Sequence, residues 1–251
     1  MIYGLYLSGQ GAQMQMIRQD VVANNLANAS TTAFKRELLI AQAHPPFDSQ
    51  HGNRTWLPGN LDNLPGGVSS GGTSTDFSQG ELQRTQGSFD LAIQGKGFLK
   101  VANGKEVYLT RNGQLSVGPQ NQLVTRDQGY PVLSTEGAPF AGLDPALPID
   151  VHPDGSVMQG VNSVGKLALV EPQNYSDLTK VGKNMFSTSG RTAPASPETQ
   201  VKQGYLEDSG VRPVTSMMEL IESSRTLEAN VNMIKTQDDS LDRLLQSLPR
   251  K

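Results

Sequence analysis

An unbroken heptad near the C-terminal end restricts this chain more than any other feature. Met217, Leu220, Ser224, Leu227, Val231, Ile234, Asp238, Leu241, Leu245 and Leu248 follow one another at alternating spacings of three and four. That is the a/d seam of one long helix, with two polar interruptions. Pro213 suits the first turn of such a helix and Pro249 ends the pattern. At 1.5 Å per residue the helix is about 50 Å long. Its flanks carry Glu219, Glu222, Arg225, Glu228, Lys235 and Arg243, so the apolar stripe is narrow. A narrow stripe fits another helix better than a sheet.

The N-terminal segment offers that second helix. Leu7, Met14, Ile17, Val21 and Leu26 lie near one face, and most other positions are Gln, Asn, Ser or Ala. Gly4, Gly9 and Gly11 weaken its start. Alone, the segment is predicted to be marginal and to gain order by packing against other helices.

Between the ends the pattern changes to short strands. Leu91 and Ile93 alternate with polar residues and lead into Gly97 to Val101. Asn103-Gly104 and Asn112-Gly113 read as hairpin turns, and Pro153-Asp154-Gly155 as a third turn. Leu123-Val124, Tyr130 to Leu133 and Ile149 to His152 are further short runs, and Leu167 to Val170 reads as a buried strand. Pro45-Pro46 and the tract Gly66 to Gly72 read as loop, and Thr192 to Pro197 as a second flexible stretch. The expected class is therefore α+β. Terminal helices form a coiled-coil-like pair, and a β-rich antiparallel domain, barrel- or sandwich-like, lies between them in sequence. The expected divisions are a 1–40 helix with its following motif, a 41–75 loop-rich connector, a 76–210 β-rich domain and a 211–251 heptad helix.

Composition removes several functions. The 251 residues carry a net charge of −3 with no basic stripe, which speaks against a nucleic-acid partner. There is no cysteine, so disulfides and thiolate metal sites are excluded. The start, MIYGLYLSGQGAQ, has neither the charged leader nor the apolar core of a secretory signal. No stretch approaches the roughly 20 apolar residues that cross a bilayer. His44, His51 and His152 are the three histidines, and no two of them are spaced as ligands on one helix. Gly95-Lys96-Gly97 lacks a third glycine and leads into a strand, where a dinucleotide loop needs a helix. No catalytic, metal or cofactor residue is expected. A β-rich carbohydrate-binding or adhesin module is the alternative from another class. Its usual exposed aromatics are scarce, with one Trp, Trp56, in the connector.

Three separated motifs give a positive reading. The first runs from Val21 to Arg36 around Asn24-Asn25-Leu26-Ala27-Asn28 and Thr31-Thr32-Ala33-Phe34-Lys35. The second runs from Asp76 to Thr85, continues through Asp90 to Phe98, and is followed by Leu109-Thr110-Arg111-Asn112-Gly113. The third is Gly204 to Val211, leading into Met218 to Thr236. In this order and spacing they resemble the flagellar basal-body rod and hook family, and within it the rod proteins. Ala33 stands where that family usually has glycine before Phe34, and Gly210 where Asn is common. The start, Tyr3 to Ser8, and the length look most like its proximal-rod members, with distal-rod or hook-like subunits as the alternative.

The resemblance implies a structural, non-enzymatic subunit of the rod, the axial drive shaft, in its periplasmic span. Such a chain polymerises through its terminal helices. Its partners would be copies of itself, other rod proteins and the flagellar type III export apparatus, reached without a cleaved signal peptide. No membrane insertion is expected. The expected assembly interface comprises Met14, Ile17, Val21, Asn24, Asn25, Leu26, Asn28 and Phe34 together with Met217, Leu220, Leu227, Val231, Ile234, Leu241 and Leu245. The asparagine amides would bridge neighbouring helices. Removing 1–36 or 214–251 should leave a folded β domain that cannot join a rod.

Overall fold

The structure, a computed structural model, describes residues 2–43, 67–104, 106–144 and 147–247. Pro45-Pro46, Gly66, His44, His51, Trp56, Leu248 and Pro249 lie outside the described residues. Helix α1 spans Ile2–Ala27 and helix α2 spans Pro213–Ser247. Between them run β1 (Glu37–Ala43), β2 (Val68–Thr75), β3 (Leu82–Arg84), β4 (Leu91–Gln94), β5 (Phe98–Asn103), β6 (Glu106–Thr110), β7 (Leu115–Val117), β8 (Leu123–Thr125) and β9 (Asp150–Val151). They are followed by β10 (Ser156–Gln159), β11 (Asn162–Lys166), β12 (Leu169–Pro172), β13 (Leu178–Val181), β14 (Met185–Thr188), β15 (Thr192–Pro194), β16 (Gln200–Gln203) and β17 (Tyr205–Glu207). The architecture is α+β, with a β-rich antiparallel segment between two helices.

The chain divides into two compact units. One gathers α1, β1, β2 and α2, and the other gathers 28–36 with 77–211. The chain therefore passes from one to the other after residues 27, 36, 76 and 211.

In the helical unit α1 and α2 run antiparallel, since Gly4 faces Gln237 and Gly11 faces Asn230. A methyl group on Gly4 would come within 2.9 Å of Gln237 Nε2, and one on Gly11 within 3.3 Å of the Asn230 amide. The glycines expected to weaken α1 are thus what let the helices approach, and the helix runs unbroken through them. Strands β1 and β2 pair antiparallel from Glu37–Thr75 to Ala43–Val68, with an irregularity between Leu39 and Ala41. Val68 to Gly72, composed like a loop, lies within β2. Backbone pairing with β1 supplies what its small side chains cannot.

In the β-rich unit a six-stranded half-barrel sheet has the order β13-β14-β6-β5-β12-β15. β5 lies inside the sheet, and its alternating side chains enter two different clusters. Leu99 and Val101 join the larger one with Leu91, Ile93, Leu123, Val132, Leu143, Val157 and Leu167. Phe98 joins Leu109, Val170 and Phe186, against which Phe77 and Tyr175 pack. The Phe77 and Phe186 ring centroids are 5.1 Å apart, and those of Phe98 and Phe186 are 5.8 Å apart near edge-to-face.

The turn at Asn103-Gly104 joins β5 to β6, and Pro153-Asp154-Gly155 joins β9 to β10, as their turn residues predict. In the second turn Asp154 accepts from the hydroxyl and the backbone N–H of Ser156, which lower its carboxyl pKa to about 2. Asn112-Gly113 is not a hairpin. β6 pairs with β5 and β14, while β7 pairs with β8. Gly113 is instead a point of close backbone approach, where a Cβ would sit 1.6 Å from the Leu91 carbonyl oxygen. Thr192–Pro194, expected to be flexible, is edge strand β15 paired to β12. Asn162–Lys166, which carries no strand signal of its own, forms the edge strand β11.

Candidate assembly interface

The covered face of α2 is not the one its apolar spacing marks. Its less exposed residues include Ser216, Leu220, Ser223, Leu227, Asn230, Ile234, Gln237 and Leu241, at alternating spacings of four and three. Leu220, Leu227, Ile234 and Leu241 belong to the expected seam. The other half of the seam, Met217, Ser224, Val231, Asp238 and Leu245, is exposed, with Met217 at 51% and Leu245 at 66%. In place of that half the covered stripe has Ser216, Ser223, Asn230 and Gln237, each one residue earlier and polar. Asn230 and Gln237 lie over the α1 glycines, and the Ser223 hydroxyl is 3.1 Å from the Gln15 carbonyl and 3.0 Å from its side-chain oxygen. Small residues and amides allow closer helix approach than Met or Val, so this stripe takes the position against α1.

The apolar side chains point elsewhere. Val214, Met217, Met218 and Ile221 stand at i, i+3, i+4 and i+7, and all four are exposed, Met218 at 66%. They form an apolar patch over the first two turns of α2. Val214, Met218 and Ile221 were absent from the expected interface, although their spacing was there to read.

On α1, Met14, Ile17, Val21 and Leu26 are half-buried and Asn24 is exposed. Asn25 is buried, and its amide is committed within the chain. Its Nδ2 donates to the Glu37 carbonyl at 2.8 Å, and its Oδ1 accepts from the Glu37 N–H at 2.9 Å. The side chain thus acts as a short strand pairing with the start of β1, and this contact replaces the bridge to a neighbouring helix expected of it. Asn28 is also buried, and its Oδ1 accepts from the Thr31 hydroxyl at 3.2 Å. Phe34 is buried in the β-rich unit beneath Lys180, whose Nζ lies 3.8 Å from the ring centroid. Its apolar area is covered by its own chain.

The three sequence motifs meet inside the β-rich unit at a group of buried charges. Glu207 Oε1 accepts from Lys35 Nζ at 2.5 Å and from the Gly80 N–H at 2.9 Å, and its Oε2 accepts from Arg111 Nε at 2.8 Å. Both the Lys35 and Glu207 residues are 1% exposed. Both cations also donate to backbone carbonyls. Lys35 donates to Ser78, and Arg111 donates to Gly97, Ile93 and Gly95. Nothing in the linear pattern could reveal this group, since Lys35 and Glu207 are 172 residues apart.

Among the described residues no group of His, Asp or Glu has the arrangement of a metal site, and His152 lies at the exposed end of β9. No described helix is long and apolar enough to cross a membrane.

Comparison with known proteins adds a second line. Residues 5–35 match the family described as flagella basal body rod protein. Residues 92–169 match the flagellar hook protein FlgE/F/G D1 domain, and residues 202–247 match the flagellar basal body rod FlgEFG protein C-terminal family. The chain is 39% identical to the flagellar basal-body rod protein FlgF of Caulobacter vibrioides, over 90% of each chain. It is 33% identical to the flagellar basal-body rod protein FlgG of Buchnera aphidicola subsp. Schizaphis graminum, over 98% of this chain and 100% of that one. It is 31% identical to FlgF of Salmonella typhimurium, over 99% of both.

Proposed function

This chain belongs to the flagellar basal-body rod protein family, and from that premise we propose that it polymerises through the outward faces of its two terminal helices. As a member of that family it is a structural protein of the flagellum and not an enzyme, and it assembles with other rod components. The observation that carries the mode of assembly is the exposed patch of Val214, Met217, Met218 and Ile221. Four large apolar side chains on one helical face have a hydrophobic reason to find a partner. A head-to-tail contact repeated by a helical operator gives a filament, so one such patch per subunit suffices to build a shaft.

In the assembled rod Met217, Val231 and Leu245 belong to the surface offered to neighbours, with Leu220, Leu227, Ile234 and Leu241 between the two helices of one chain. The helix pair then takes on coiled-coil character, with Met14, Ile17, Val21 and Leu26 as the α1 contribution. A proximal position in the rod is favoured by the start at Tyr3 to Ser8 and by the likeness to FlgF over 90% of both chains; a distal position is the alternative. Export by the flagellar type III apparatus into the periplasmic span is part of the same proposal, supported by the family membership.

The test is the double change Met218→Asp and Ile221→Asp in the full chain, expressed in cells lacking it. Both sites are exposed, so folding should be altered by no more than about 0.5 kcal/mol per site. The expected result is a soluble, folded chain and non-motile cells without completed rods. Motility equal to that given by the unaltered chain would refute assembly through this face.

A further inference from the structure

We infer that Lys35 is the key of an internal lock that fixes the roots of both terminal helices in the β-rich unit, and that Lys35 and Glu207 are positioning residues for assembly although neither faces a neighbour. This rests on the reading that the helices are the polymerising elements. The chain enters the β-rich unit at residue 28, directly after α1, and leaves it after residue 211, directly before α2. Two consecutive turns, Thr31 N–H to Asn28 O and Phe34 N–H to Thr31 O, compact the entering segment. Two backbone bonds then tie it to the leaving segment, Ala33 N–H to Glu207 O at 2.8 Å and Gly210 N–H to Phe34 O at 2.9 Å. Lys35 completes the join by sending its ammonium onto the carboxylate of the same Glu207.

The charges are unequal in what they support. Without Lys35, the Arg111–Glu207 pair remains neutral and fully bonded, and Arg111 keeps its three carbonyl partners. Without the Glu207 charge, both buried cations lose the carboxylate they share. Lys35 is therefore the removable member. Its loss leaves the strands around Arg111 intact and releases the entering segment, whereas loss of the Glu207 charge strikes the unit as a whole. A polymer built from two helices of each chain needs the segment leaving α1 and the segment entering α2 to follow one path in every copy.

The experiment uses the full chain with Lys35→Met, read by amide exchange on the purified protein and by motility in cells lacking the chain. The expected result is exchange faster by about tenfold or more at the Ala33 and Gly210 amides, unchanged exchange at Lys100 and Ala102 in β5, and loss of motility. Lys100 and Ala102 are suitable controls because their N–H groups bond to Ala168 and Pro131 in the strand core. Unchanged protection at Ala33 and Gly210 would overturn the lock. So would loosened amides with full motility. Loss of protection at Lys100 and Ala102 as well would make Lys35 an ordinary core group and overturn it too. Glu207→Gln serves as the contrast and should lose protection everywhere; if it loosens only Ala33 and Gly210, the asymmetry is wrong and the lock with it. The Met218→Asp, Ile221→Asp chain separates the two ideas. If it restores motility, assembly through α2 fails whatever the exchange rates at Ala33 and Gly210 report.

Discussion

Ala33 sits at φ 55°, a left-handed conformation that costs an alanine about 1 kcal/mol relative to glycine, and it is buried at 1% exposure. The neighbouring bonds enforce it. Its N–H is spent on Glu207, and the next two residues place Phe34 and Lys35 in the β-rich unit. Ala33→Gly should therefore stabilise the chain by about 1 kcal/mol, raising the melting temperature by roughly 2–4 °C. A calorimetric melt that is lower than that of the unaltered chain would show that the unfolded-state entropy of glycine outweighs the strain. This position was legible in the sequence, since a glycine is usual there in the resembling family. The partners of Asn25 and Lys35 were not, because a side chain's hydrogen-bonding capacity is written in its type while its partner depends on which distant segment arrives beside it.

Among the elements, both helices were legible in existence, and the long α2 follows from its periodicity, but α1 ends at Ala27 where the expected segment ran to about residue 40, and β1 begins at Glu37. Which face of α2 is turned to α1 was not. Two stripes one residue apart share Leu220, Leu227, Ile234 and Leu241, and hydrophobicity favours the one with Met217 and Val231. The structure turns the stripe with Ser223, Asn230 and Gln237 to α1 instead, since Gly4 and Gly11 leave room for amides at short range. Gly11→Leu should therefore force α1 off α2. The expected outcome is loss of amide protection along α1 with an unchanged melting transition of the β-rich unit. Protection of α1 equal to that of the unaltered chain would mean that the close approach is dispensable. Strand β2 and the site at Gly113 escaped the reading for a related reason. Small, flexible residues signal loops by composition, yet they also permit strand pairing and close backbone contact where a partner is available.

For the whole molecule, the described chain is two units whose boundaries do not follow the order of residues. Residues 28–36, which look like the tail of the N-terminal helix, belong with 77–211. Cutting the chain before Asn28 should leave the β-rich unit folded, whereas cutting before Glu37 removes Phe34 and Lys35 from its interior and should destabilise it by several kcal/mol, on the order of 3 or more for the buried aromatic alone. Thermal melts of the two truncated chains check this, and equal melting temperatures would place 28–36 outside the unit. Deletion of 1–36, which the motif boundaries recommend, would also remove 28–36 from that unit. By itself the sequence determined the class of fold and the family, because those depend on periodicity, residue type and motif order along the chain. Only the tertiary structure decided which stripe of α2 stays exposed, and that the three motifs close on one buried carboxylate. Both depend on which groups reach one another in space, and spacing along a chain does not carry that information across 172 residues.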